Sequence, residues 1–356
     1  MDFSIPHLTR YLEHRFNEPV TVCEVERFSR GTSRQTWFVT IERQAQAARE
    51  VLVFRTDLAA GSIEMSGLDQ EFFMYDRLGR ANVPVAQVLF WEDDPAWTST
   101  PFYVRRKVEG DWNVKGFLDP DPRFDDLRIA TSKAHISALA QVHQIDWRAL
   151  GFGERLAVPQ DVTACGRTYV DTLMAQFEDV RSQGMAIMLE AAEWLRDTAP
   201  VAPRIVLCKG TNGFGEEVFK DGRLVALSDW EEASIGDPAA DFAFMQYFAP
   251  VIERDGQQIW GMEQALDFYH DLTGIRIPLA SVQYYGVIRA MRLIAMSEKS
   301  TQAVRRQPAL AEIRQAWTGT EVGYICRRGL LAAMGLSEPP PAHALAELHE
   351  TIEAPL

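Results

Sequence analysis

One short stretch, Arg204 to Asp241, reads RIVLCKGTNGFGEEVFKDGRLVALSDWEEASIGDPAAD and gathers a cation (Lys209), a hydroxyl (Thr211) and carboxylates (Glu216, Glu217, Asp229). Apolar runs at residues 205–208 and 217–219 flank a Gly-rich loop, and Lys220-Asp221-Gly222 precedes a third run. Alternating β-branched runs split by Asp-Gly predict a hairpin there. Asp229 then stands where a strand gives way to a loop, a common station for a working carboxylate. A carboxylate so placed can take a proton or hold a hard cation through oxygen.

This stretch resembles the catalytic segment of the aminoglycoside phosphotransferase family, in the branch similar to the kinase-like domain of acyl-CoA dehydrogenase family proteins. Asp229-Trp230-Glu231 and Gly236-Asp237-Pro238-Ala239-Ala240-Asp241 reproduce the second half of the family pattern. The first half departs from it. Counted back from Phe219, the family's His-Gly-Asp falls on Lys209-Gly210-Thr211 and its metal-binding Asn falls on Glu216.

The resemblance implies phosphoryl transfer from ATP with Mg²⁺ to a small-molecule hydroxyl, through a non-standard catalytic loop. In kinase-like transfer an Asp takes the acceptor's proton and aims its oxygen, while an Asn and a second Asp hold the metal. Thr211 cannot serve as a base near neutral pH, and losing a positioned base costs about 10²–10⁴ in rate. The loose transition state depends mostly on positioning, so slow or altered catalysis survives that loss. Glu216 adds a full charge where an amide is expected and, with Asp229, forms the implied metal pair. Lys209 is placed to offset charge on the transferring group, and the acceptor proton leaves to water or to Glu217.

Upstream elements must position a nucleotide. Strands at Val20–Phe28 and Thr36–Ile41 flank Arg30-Gly31-Thr32-Ser33, which resembles the family's phosphate-covering loop, with Arg30 replacing one of its glycines. Small residues there let backbone N–H groups approach phosphate oxygens. Arg55 ends the strand Val51–Arg55, and Glu71 opens an apolar-periodic helix. The resemblance pairs them as the strand cation and helix acid that hold the α and β phosphates. The segment from Pro84 to Gly110 reads as the last strands of this part and a hinge, where backbone near Glu109 meets the adenine edge.

After Gly110 the hydrophobic period changes from strand-like to helical, with helices expected at residues 127–142, 162–180, 185–195, 242–248, 262–272, 282–297 and 313–334. His143 closes the first of these, and the resemblance makes it a core residue. Aromatic side chains downstream, among them Tyr247, Phe248, Tyr284 and Tyr285, suit an apolar or aromatic acceptor. Residues 344–352 form a short amphipathic tail, a surface for docking on the body or on a second subunit.

The expected fold is α+β: a two-lobed, protein-kinase-like body. Residues 1–108 make a strand-rich nucleotide-binding lobe, and residues 109–356 make a helical lobe with the catalytic loop and acceptor pocket. With 356 residues, 47% hydrophobic and 24% charged, the chain has material for both cores. A net charge of −14 argues against nucleic acid and anionic membrane as partners. Scattered cysteines (Cys23, Cys165, Cys208, Cys326) and no long apolar run fit a cytoplasmic protein without a membrane span. Two further readings share the fold: a pseudokinase that binds nucleotide or ligand as a homodimer or as the subunit of another enzyme, and a transferase or lyase with a changed donor or reaction.

Overall fold

Alternation of apolar and polar residues from Val20 onward builds a sheet, and the first helix exists to cover it. The computed structural model describes residues 2–28, 33–44, 46–181, 185–213, 215–334 and 336–338. Helix α1 (Ile5–Phe16) begins with Pro6 in its first turn and stops at Asn17, whose left-handed backbone (φ 53°) terminates it. It buries Leu8, Tyr11 and Leu12 against β1 (Val20–Phe28), β2 (Arg34–Arg43) and β3 (Gln46–Asp57).

Helix α2 (Leu68–Leu78), β4 (Val88–Glu92) and β5 (Phe102–Arg106) complete this lobe, whose antiparallel sheet runs β1-β2-β3-β5-β4. Arg55 lies on the central strand, paired with Thr36 on one side and Tyr103 on the other. Ladders on both sides fix its position, so its guanidinium is aimed by the sheet rather than by a loop.

The chain leaves the sheet through Gly110. Asp111 exchanges backbone hydrogen bonds with Phe219 (2.7 and 2.8 Å). A Cβ on Gly110 (φ 149°) would lie 2.5 Å from the Phe219 carbonyl oxygen, so this close crossing demands glycine.

Beyond it come α3 (Asp125–Gln144), α4 (Cys165–Val180), α5 (Ala186–Asp197), β6 (Val206–Cys208), β7 (Val218–Lys220), β8 (Arg223–Ala226), β9 (Ser234–Gly236) and α6 (Ala239–Phe242). Then follow β10 (Ile252–Arg254), β11 (Gln257–Trp260), α7 (Met262–Thr273), α8 (Leu279–Arg306), α9 (Ile313–Trp317) and α10 (Gly323–Ala333). A π-helical turn over Thr318–Val322 joins the last two. The helices pack around one apolar cluster that includes Ile136, Phe177, Phe242, Tyr269 and Met291. Among the described residues no helix is long and apolar enough to cross a membrane.

The expected hairpin is β7–β8, with Asp221 (φ 50°) and Gly222 (φ 73°) at its tip, the doubly left-handed pattern of a tight hairpin turn. Two features depart from the sequence reading. Strand β6 pairs with β9, so the segment after Asp229 returns beside the segment before the Gly-rich loop. A second hairpin, β10–β11, turns at Asp255 (φ 54°) and Gly256 (φ 74°), and in place of the helix expected over residues 242–248 the short α6 ends at Phe242 and turns follow. The tail at 344–352 lies outside the described residues.

Candidate functional site

The loop after β6 is held by a single buried carboxylate. Asp241 on α6 accepts the backbone N–H of Lys209 (2.8 Å) and Gly210 (2.6 Å) and the side-chain amide of Asn212 (2.9 Å). Its other partner is His143 Nε2 at 2.8 Å, while His143 Nδ1 meets the Tyr269 hydroxyl at 2.7 Å. Burial alone would raise the Asp241 pKa, but His143 and the loop N–H groups outweigh it and hold the carboxyl below its usual value. His143, Cys208 and Asp241 are close enough to share an ion, yet both imidazole nitrogens and both carboxylate oxygens are already engaged. This cluster is the anchor of the loop.

At the loop's turn, a Cβ on Gly210 (φ 87°) would sit 2.3 Å from the Glu232 carbonyl oxygen, so only glycine allows the two segments to touch. The side chains on either side face inward. Lys209 is 0% exposed; its ammonium lies 3.2 Å from Glu217 and 3.9 Å from Glu216, and it donates to the Thr211 carbonyl oxygen. Burial works against that charge, but Glu217, Glu216 and Asp229 together hold the lysine pKa above its usual value. The sequence reading set Lys209 against a transferring group in the cleft; the structure turns it to the protein's own carboxylates.

Thr211 Oγ is buried and has no hydrogen-bond partner. Glu216 accepts the Gly213 N–H (3.0 Å). Burial pushes its carboxyl up to about 8, a push tempered by solvent because the side chain is 24% exposed. Glu217 is 1% exposed and is pushed up to about 7 by burial, with Lys209 pulling the other way. Glu217 thus faces Lys209 from inside the core. His135, 3.7 Å from Glu217 and stacked on Phe248, is driven down to about 3 by burial and by Lys209 and stays neutral.

Asp229 has a left-handed backbone (φ 60°), uncommon for a residue with a side chain and typical of strained positions at working sites. The Tyr75 hydroxyl accepts its N–H at 3.3 Å, and the buried Trp230 beside it locks the segment into the core under β5 and α2. Asp229 Oδ1 is buried and unpartnered. Burial, Glu231, Glu216 and Glu71 push its carboxyl well above the usual range, with Lys209 opposing. Through Lys209, then, Thr211, Glu216 and Asp229 form one electrostatic cluster.

Above it, Arg55 pairs with Glu71 at 3.2 Å, as the sequence implied. Arg55 also meets Glu231 at 2.6 Å and donates to Thr36 Oγ at 3.0 Å. Sequence reasoning missed Arg34, which is fully buried and bonds Glu231 (2.6 Å), Asp57 (3.0 Å), Glu71 (3.2 Å) and the Ser66 carbonyl (2.8 Å). Ser33, the described end of the expected phosphate loop, donates to Glu231 at 3.0 Å. Arg30, Gly31 and Thr32 lie outside the described residues. Glu109 is an exposed residue just before the Gly110 crossing.

On the other side of Glu231, a cavity of about 100 Å³ is lined by Tyr169, Thr172, Gln176, Glu232 and Arg292 among others. A smaller one shares Tyr169 and Glu232 with it and touches Gly210, Phe244 and Arg289. Glu232 is held down at about 2: burial opposes its charge, but Arg289 and Arg292 (3.1 Å) outweigh it.

The sequence model of a family described as "Phosphotransferase enzyme family" matches residues 24–274, a span that contains Arg34, Arg55, Glu71, His143 and the whole segment from Lys209 to Asp241. The chain belongs to that family. Its curated relatives include acyl-CoA dehydrogenase family member 11 of Mus musculus, 24% identical over 312 residues, which cover 82% of this chain and 38% of the mouse protein. The Gallus gallus counterpart is 26% identical over 248 residues, 68% of this chain and 30% of that protein. The chain thus spans well under half the length of these relatives.

The fold is that of solved phosphotransferases. A Ralstonia eutropha protein classed with the aminoglycoside phosphotransferases aligns with a TM-score of 0.65 at 18% identity, covering 95% of this chain and 100% of that one. Macrolide 2'-phosphotransferase from Brachybacterium faecium aligns at 0.53 and 18% identity, covering 94% and 99%. The two-lobed, kinase-like architecture expected from the sequence is the one observed.

The implied divalent metal can be tested against the residues present. The orphaned Asp229 Oδ1 and the partly exposed Glu216 carboxylate are hard oxygen donors in one electrostatic cluster, and they fit a Mg²⁺ ion.

Proposed function

We propose that this protein is a small-molecule phosphotransferase that uses ATP and Mg²⁺ and runs without a carboxylate base in its catalytic loop. The observation that carries the reading is Asp229: a carboxylate with one buried, unpartnered oxygen on strained backbone, beside the Arg55–Glu71 pair, within the matched family span. In this reading residues 1–108 form the nucleotide lobe and residues 109–356 carry the catalytic loop and acceptor site. Arg55, aimed by its strand and by Glu71, takes the nucleotide phosphates together with the loop 30–33, and backbone near Glu109 takes the adenine edge. Asp229 and Glu216 hold Mg²⁺, which supplies charge neutralisation at the phosphates when bound.

The acceptor hydroxyl enters from the side of Tyr169 and Glu232, which line both cavities, the smaller of which reaches Gly210. The free Thr211 Oγ orients it by a hydrogen bond without taking its proton, which leaves to water. Buried positioning with no base suits a loose transition state and predicts slow turnover. Free cysteines are consistent with a cytoplasmic setting.

The test is ATP consumption by the purified chain against a panel of hydroxylated small molecules, with and without Mg²⁺. Mg²⁺-dependent phosphorylation that Asp229→Ala abolishes supports the reading; full activity in that variant overturns it. A nucleotide-induced rise in melting temperature with no turnover under any acceptor would instead make the protein a pseudokinase. Turnover without nucleotide would assign a different phosphoryl donor.

A further inference from the structure

We infer that Lys209 is a tethered cation that takes part of the place of a metal ion, so that the free protein binds divalent cations weakly and gains that capacity when the lysine is removed. The inference rests on the reading of Asp229 and Glu216 as the cation-facing carboxylates, and it extends that reading to a residue whose chemistry the family pattern does not anticipate.

The geometry is that of an occupied cation position. The ammonium is wholly enclosed: it donates a hydrogen bond to the Thr211 carbonyl oxygen and has the Glu217 and Glu216 carboxylates in ion-pair range at 3.2 and 3.9 Å, so protein oxygens surround its charge. Carboxylates and a backbone carbonyl are the donors that a hard ion would use. The Trp230 ring centre, 6.0 Å away, closes the remaining side with the face of an aromatic.

Charge accounting at the loop agrees. Where the related pattern has a neutral imidazole, an acidic Asp and a neutral amide, this chain has an ammonium, a hydroxyl and a carboxylate. The loop is therefore one unit more positive than the pattern it departs from. The anchor at Asp241 leaves Lys209 little freedom to swing out, since it fixes the backbone N–H groups of Lys209 and Gly210. An ion approaching Asp229 and Glu216 meets a fixed positive charge at short range, and repulsion between a divalent ion and an ammonium across several ångströms weakens binding about tenfold or more even with solvent screening.

The experiment is a Mn²⁺ titration of the full chain without nucleotide or acceptor, read by electron paramagnetic resonance of the free ion and by calorimetry. Lys209→Met is the direct variant. Because it strands buried Glu217 without a partner, Lys209→Met/Glu217→Gln is made alongside it, and circular dichroism verifies that each is folded. The inference expects the double variant to bind Mn²⁺ about tenfold or more tightly than the wild type, with the gain lost when Asp229→Asn is added. Equal Mn²⁺ affinity in wild type and double variant overturns it, as does a gain that survives Asp229→Asn. Phosphotransfer by the wild type is measured separately: Mg²⁺-dependent turnover with unchanged Mn²⁺ affinity sinks this inference and leaves the proposed function standing, whereas the reverse result separates them the other way.

Discussion

The guanidinium of Arg34 and the carboxylate of Glu231 meet at 2.6 Å, and both side chains are sealed from solvent at 0% and 2% exposure. The same carboxylate oxygen receives Arg55 and Ser33, so the Asp-Trp-Glu segment of the helical lobe is bonded into the central strands of the sheet. Burial pushes Glu231 up to about 7 although Arg34 and Arg55 pull it down, so desolvation outweighs attraction here. Glu231→Ala leaves the Arg34 and Arg55 guanidiniums facing Glu71 with one carboxylate fewer. A loss of about 3 kcal/mol in stability is expected, checked by urea unfolding of the variant against wild type.

Asp241 makes a second prediction. It is 0% exposed and gathers the N–H groups of Lys209 and Gly210, the Asn212 amide and His143. Asp241→Ala strands several buried donors at once and is expected to cost roughly 3–5 kcal/mol. Hydrogen exchange at the Gly210 amide should accelerate in any folded fraction, and unchanged protection there would show that the loop has another anchor.

The sequence made the long elements readable and the short ones not. Helices α1, α3 and α7 carry enough turns for their apolar spacing to register, and Arg55 and Glu71 fall where strand and helix periodicity place them. Both hairpins turn on Asp-Gly, but β10 is three residues long, too short to show alternation beside its turn. The pairing of β6 with β9 joins segments whose partners only the folded chain reveals. Arg34 escaped, and the side to which Lys209 turns was not legible, for a related reason: residue type announces a charge but not the direction in which the backbone aims it. Glu231 had a signal in the Asp-Trp-Glu motif, and Arg34 had one in its position just after the Gly-Thr-Ser core.

Acid–base behaviour follows from the buried carboxylates. Glu217 and Glu231 are raised to about 7 and Glu216 to about 8, chiefly by burial. Each holds its proton more tightly folded than unfolded, so each stabilises the fold at low pH and loses that contribution as pH rises through the folded value. His135, driven down to about 3, works in the opposite sense, but only up to its ordinary value of 6.5. Glu232, Glu71 and Asp241 are lowered, and their contributions are complete above the ordinary carboxylate range. Between about pH 6.5 and pH 8 the raised carboxylates dominate, and the melting temperature in chelator should fall by about 2 °C or more. Calorimetric scans at the two pH values check it, and Mg²⁺ should recover part of the loss at pH 8.

Thr211 supplies the sharpest test of the catalytic loop. Its backbone is held between the anchored Gly210 and the Lys209 ammonium, and its hydroxyl oxygen is buried without a partner. In the proposed reading, Thr211→Asp puts a carboxylate where a base would face the acceptor hydroxyl, and the neighbouring ammonium favours its ionised form. Turnover should rise toward the 10²–10⁴ that a positioned base typically contributes, with at least about a tenfold gain in initial rate of ADP formation. The gain should fall away below the pKa of the new carboxylate, where the base already carries a proton, and vanish in Thr211→Asp/Asp229→Ala. A folded Thr211→Asp variant no faster than wild type would mean that position 211 does not face the acceptor, and the alignment of this loop with the related pattern would have to be redrawn.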